Sequence, residues 1–129
     1  MAVFSIDGIT YPAVMVTDLK RSFEILDGEN AGRVKTGTMV RDVIGTYYNY
    51  SMELDTSESS IAEYDALYEV LSAPVDSHLL SVPYAQATLL FEAYVTSGED
   101  NLISMENQRN KWEGLSVNFI AMSPKRRPS

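Results

Sequence analysis

The segment Ile44-Gly45-Thr46-Tyr47-Tyr48-Asn49-Tyr50-Ser51-Met52-Glu53-Leu54 decides the fold class. Ile44, Thr46, Tyr48, Tyr50, Met52 and Leu54 recur at every second position, and Tyr47, Asn49, Ser51 and Glu53 fill the alternate ones. Successive side chains leave opposite faces of a pleated strand, so a period of two built from aromatic and β-branched residues predicts a strand with one face turned to a core. The strand region extends back to residue 34. Gly37 and Gly45 interrupt it and predict a bulge, a bend or a break into two strands.

Strand signals continue on the N-terminal side. Asp7-Gly8 lies between two short β-favouring runs and is a two-residue hairpin signal, because both turn positions tolerate positive φ. Pro12 ends or offsets the second arm. Residues 14–17 and 22–26 read as the next strands, with Lys20-Arg21 between them. Asp27-Gly28-Glu29-Asn30-Ala31-Gly32 is the clearest loop in the chain, concentrating glycine and polar turn formers.

One helix is predicted over about residues 60–72. Ser60-Ile61-Ala62-Glu63 fits a capping box, and Ile61, Tyr64, Leu67, Tyr68 and Leu71 recur at helical spacing as one apolar stripe. Ala73-Pro74 ends it, since the residue before proline disfavours the α region. Strands then resume. Residues 78–84 form one, with Pro83 making it an edge or ending it. Residues 87–95 form another, with Leu89, Phe91, Ala93 and Val95 on one face and Leu90 and Tyr94 on a second covered face. Residues 97–101 read as a turn, 102–105 as a strand, 106–111 as a polar loop and 112–122 as the closing strand. Strands, one helix and strands again, with no βαβ alternation, give a mainly β fold: an antiparallel β-sandwich or split barrel with a flanking helix. Residues 1–123 read as one β-rich domain, and 124–129 as a basic, proline-flanked tail that frays and cannot join a sheet interior.

Composition narrows the function. The chain has 129 residues with 18 acidic and 10 basic side chains, a net charge of −8 and no cysteine. Disulfides and thiolate metal sites are thereby excluded. The acidic balance disfavours specific nucleic-acid binding. No apolar run approaches the roughly 18 residues of a membrane span, and the N-terminus lacks the pattern of a signal peptide, so the expected place is the cytoplasm. His78 is the single histidine, no G-x-S-x-G elbow is present, and a zinc site would need more ligands than one histidine supplies. His78 therefore reads as a satisfied or surface histidine. The 27–32 loop has too few spaced oxygens for calcium, and Gly32-Arg33-Val34 is not a phosphate-binding loop. No enzyme and no cofactor is expected. The tyrosine-rich segment 39–50 points instead to assembly, because tyrosine and arginine concentrate in interface cores. Asp27, Gly28, Asn30, Arg33, Arg41 and Tyr47 are the candidate contact residues between subunits. The alternative is a ligand- or carbohydrate-binding β-sandwich module using Trp112 and Tyr84.

The run from Asp27 to Arg33, then Thr38-Met39-Val40-Arg41-Asp42-Val43-Ile44-Gly45-Thr46-Tyr47-Tyr48, resembles small prophage proteins of Gram-positive bacteria. The likeness continues through Tyr64-Asp65, Leu71-Ser72-Ala73-Pro74, Trp112, Leu115, Phe119-Ile120-Ala121 and Pro124. What the resemblance implies is a structural protein of a bacteriophage or prophage tail: tube, tube terminator, or distal-tail and baseplate component. It implies homo-oligomers, hexameric rings among them, other tail proteins as partners, assembly in the bacterial host cytoplasm and residence in the virion tail. An acidic lumen would let DNA pass without sticking.

Overall fold

A computed structural model describes residues 4–56, 61–106 and 108–128. They form strands β1 (Ser5–Ile6), β2 (Ile9–Thr10), β3 (Met15–Asp27), β4 (Gly32–Arg33), β5 (Met39–Val40) and β6 (Val43–Asp55), helix α1 (Ile61–Leu71), then β7 (His78–Tyr84), β8 (Ala87–Tyr94), β9 (Gly98–Glu106) and β10 (Arg109–Ala121). Eight strands share one sheet in the order β2-β1-β7-β8-β10-β6-β3, with β9 also paired to β10. β4 and β5 form a separate two-stranded sheet. Every pairing is antiparallel. The expected mainly antiparallel β fold with one helix is what the chain adopts.

β10 joins the two halves. β6 pairs along one edge at Leu115–Phe119, while β9 and then β8 follow the other edge, β8 at Ile120 and Ala121. Leu115, Val117, Phe119 and Ala121 alternate inward and are buried. Against them pack Tyr50, Met52 and Leu54 of β6, Leu80 and Val82 of β7, Leu89, Phe91 and Ala93 of β8, and Tyr64, Leu67 and Leu71 of α1. Burying each large side chain contributes about 1.5–3 kcal/mol. Tyr50 also donates its hydroxyl to the Pro83 carbonyl at 2.8 Å, tying β6 to β7.

The Asp7-Gly8 hairpin is present. Asp7 and Gly8 have φ of 54° and 83°, and Ile6 pairs with Ile9. Asp7 does more than turn the chain. Its Oδ2 lies 2.8 Å from His78 Nδ1 and its Oδ1 accepts the Leu79 N–H at 2.8 Å. His78 is 4% exposed, so it is the satisfied histidine expected.

α1 ends before Pro74 as expected, and Tyr64, Leu67 and Leu71 form its buried stripe; Tyr68 is exposed. Ser60 of the capping box lies outside the described residues. Glu63 accepts the Ala13 N–H at 2.8 Å, which fastens the helix to the chain entering β3.

Several expectations are corrected. Residues 15–17 and 22–26 belong to one strand, β3, whose pairing to β6 runs straight through Lys20 and Arg21, and Val14 precedes it. The predicted turn at 97–101 is ladder from Gly98 onward: Gly98 pairs with Val117 and Glu99 with Ser116. The loop at 106–111 contracts, since Asn110 and Lys111 pair with Met105 and Ser104. In both places inter-strand hydrogen bonds override turn propensity. Leu90 is 54% exposed, so the second face of β8 is not covered there. Pro83 sits in an inner strand, but β1 pairs only at Leu80 and Ser81, and the missing donor falls beyond its reach. At Gly45 the irregularity expected is of the bulge kind: β6 is unbroken and the register shifts beside it, between Leu26 and Asp27. The C-terminal segment is not frayed. Thr46 donates to the Arg126 carbonyl at 2.8 Å, and Lys125 donates to the Thr46 carbonyl at 2.9 Å.

The hydrogen bonds with His78 and Leu79 hold the Asp7 carboxyl below the usual aspartate range. Its stabilising effect is full above the ordinary aspartate value of about 3.9 and fades as pH falls through the lowered one. Asp7→Ala should cost about 1–3 kcal/mol at neutral pH, read as a lower urea midpoint with unchanged slope. Asp7→Asn, which keeps an acceptor and tolerates positive φ, should cost less, and the Ala deficit should shrink in acid.

Candidate docking arm and its groove

The β3–β6 hairpin is longer than the core beneath it. Leu19, Arg21, Phe23 and Ile25 of β3 share a face with Met52, Tyr50, Tyr48 and Thr46 of β6, paired in that order. Met52 and Tyr50 are buried, whereas Phe23 is 68% and Ile25 44% exposed. The same face thus leaves the core and continues into solvent. Of the 18 exposed large hydrophobic side chains among the described residues, eight lie between Phe23 and Ile44, so uncovered apolar surface concentrates on this arm.

Where the arm meets the body, Arg21, Ser22, Phe23, Ile25, Thr46, Tyr48, Tyr84 and Arg126 line a groove of about 450 Å³. Tyr84 donates its hydroxyl to that of Tyr48 at 3.1 Å, and their rings meet edge-on at 5.1 Å. The Arg21 guanidinium lies 5.2 Å from the centre of the Tyr84 ring, a cation–π contact. The Tyr84 hydroxyl and the facing Arg126 guanidinium favour the Tyr48 phenolate and lower its pKa from the usual tyrosine value. Neither arginine has a carboxylate partner among the described residues. In a chain of 18 acids and 10 bases, this groove is lined by two cations and no acid.

Arg126 is held there by backbone. The bridge between Thr46 and Arg126 lays the C-terminal segment over Gly45. A Cβ at residue 45 would meet the Arg126 carbonyl oxygen at 2.5 Å and Pro124 Cβ at 2.7 Å, so only glycine allows this approach.

Of the sequence-derived contact residues, five gather at the arm's tip. Arg41 Nε donates to both Asp27 carboxylate oxygens at 2.9 Å. Gly28 N–H donates to the Asp42 carbonyl at 2.7 Å, and Asn30 N–H reaches Asp42 Oδ2 at 3.4 Å. Arg33 donates to the Gly37 carbonyl at 2.8 Å. These bonds shape the tip internally. Tyr47 stands apart, on the opposite face of β6, across from Glu24. Sequence reasoning missed Arg21, Tyr48, Tyr84 and Arg126 as one site. The usable signal was the parity of Leu19, Arg21, Phe23 and Ile25, which match the inward phase of β6.

A second aromatic groove, of about 400 Å³, lies on the α1 side and is lined by Tyr64, Asp65, Tyr68, Glu69, Asp100 and Trp112. It holds three acids and no base. Asp100 accepts the Tyr64 hydroxyl at 3.0 Å. Trp112 and Tyr84 therefore belong to separate grooves. Among the described residues, no cluster of three or more His, Asp and Glu could hold a metal, and no helix is long and apolar enough to cross a membrane. No protein-family model matches the chain, and no curated protein matches its sequence.

Gly45→Ala should push the C-terminal segment off β6, so trypsin should cleave after Lys125 and Arg126 faster than in wild type while the core strands stay protected. The tyrosine arrangement has its own readout. In a spectrophotometric titration, one tyrosine of the eight should ionise below the usual range. Tyr84→Phe removes the donated hydrogen bond and should return that step upward, and Tyr48→Phe should abolish it.

Proposed function

We propose that this protein is a non-enzymatic structural component of a bacteriophage or prophage tail, which works by assembling with copies of itself and with other tail proteins. The observation that carries the reading is the β3–β6 arm. Its pairing continues past the core, and Phe23, Ile25, Leu26, Val43 and Ile44 stand exposed along it. Apolar surface concentrated in this way is characteristic of an interaction site. β3 is also an edge strand, free on its outer side to add a neighbouring chain. The tip, braced by Arg41–Asp27 and Arg33–Gly37, gives the arm a fixed end rather than a floppy one. The likeness to small prophage proteins supplies the setting, with assembly in the host cytoplasm and residence in the virion tail. The net charge of −8 suits a surface that DNA passes without binding.

Light scattering and negative-stain microscopy across a concentration series should show ring-forming or filament-forming oligomers. Phe23→Asp combined with Ile25→Asp should reduce the protein to monomers, and circular dichroism melts should show that the variant is folded, because Phe23 is mostly exposed and neither side chain belongs to the buried core. Oligomers that persist unchanged in this variant would rule out the arm as the contact.

A further inference from the structure

We propose that the Arg21–Arg126 groove of one copy receives the acidic helix face of the next, Asp65 and Glu69 with Tyr68 and Trp112. The inference rests on the assembly reading above and specifies which surfaces meet. Three observations carry it.

The first is charge. The receiving groove holds two guanidinium groups without carboxylate partners among the described residues. The donating groove holds three carboxylates and no base. Opposite potentials on two patches of one molecule complement each other between copies.

The second is composition. Each patch pairs its charges with aromatic rings, Tyr48 and Tyr84 on one side, Tyr68 and Trp112 on the other. Arginine, tyrosine and tryptophan are the residues that dominate buried interface energies. Phe23, 68% exposed, adds apolar area that its own chain covers only in part.

The third is placement. In the half of the sheet ordered β3, β6, β10, β9, the cationic groove sits at the β3 edge. Asp100 and Trp112 sit at the opposite edge, on β9 and β10. A contact joining opposite edges is head-to-tail, and repetition gives a ring if the rotation closes or a filament if it does not.

The test is charge reversal in the full chain, followed by sedimentation velocity at low and high salt. Arg21→Glu with Arg126→Glu, and separately Asp65→Lys with Glu69→Lys, should each weaken self-association by about tenfold or more. An equimolar mixture of the two should associate again, because the first retains its acidic face and the second its cationic groove. Circular dichroism melts confirm that each variant is folded, and Arg21→Ala with Arg126→Ala repeats the loss without adding negative charge. If wild type assembles and neither reversal weakens it, assembly stands and this contact is wrong. Should the reversals weaken assembly without rescue on mixing, the groove meets some other surface and the proposed pairing is overturned. A wild type that stays monomeric at its highest soluble concentration, under cross-linking as well, removes both this inference and the assembly reading.

Discussion

β10 has to satisfy three neighbours along thirteen residues, and the rest of the molecule is arranged by how it does so. Its second half presents Leu115, Val117, Phe119 and Ala121 to one core while both of its edges are hydrogen-bonded. A shift of one residue would turn all four outward, so the register is specified by the alternation itself. The first half needs a different course, to follow β9 away from β6. Irregularities between Lys111 and Trp112 and between Glu113 and Ser116, with Gly114 at φ 71°, supply that change of direction. The sheet therefore folds over its own middle strand. α1 covers the open side, fixed at its N-terminal end through Glu63 to Ala13 and Tyr64 to Asp100, and packed by Leu67 and Leu71 beyond.

Beyond residues 50–54 of β6 the support thins to Tyr48 packed on Tyr84 and the C-terminal segment over Gly45, and past Gly45 the β3–β6 hairpin runs on with its large apolar side chains exposed. The ladder persists nonetheless, because each added pair extends a hydrogen-bonded ribbon already aligned by the one before it. The result is an arm whose inner face begins as core and ends as surface. Such an edge invites unspecific pairing, and β3 carries Lys20, Arg21 and Glu24 together with a register irregularity between Val16 and Asp18. Charges and irregularities on an edge strand restrict which chains can add to it. Under the assembly proposed above, these features would limit which chains the exposed arm accepts.

Local patterns were legible wherever one force dominated. The alternation from Ile44 to Leu54 gave β6, Asp7-Gly8 gave the first hairpin, and Pro74 marked the end of the helix. The reading failed where distant chain supplied the partner. Ser97-Gly98-Glu99-Asp100-Asn101 has the composition of a turn, yet β10 is present to receive its backbone bonds. Lys20-Arg21 looked like a break because polar residues in a strand signal exposure, and exposure at an edge does not end a ladder. The basic tail looked unattached because proline disfavours sheet interiors; it needs only two residues, Lys125 and Arg126, to bond to Thr46. The groove was the least legible feature. Its lining comes from β3, β6, β7 and the C-terminal segment, which only the folded topology brings together.

The position of that tail gives the groove a dependence on complete folding. Arg21 is carried by β3 and Tyr84 by β7, so they meet only once the two halves have closed around β10. Arg126 is held by the backbone of Thr46 over a glycine that admits no side chain. A chain with its C-terminal segment undocked would keep its core but lose one of the two cations of the groove. In the proposed assembly, the acidic face of a neighbour would then find half the complementary charge, and a partly folded subunit would be a poor acceptor. One cation of the groove thus depends on the docking of a segment outside the core, so the charge of the receiving surface follows that docking.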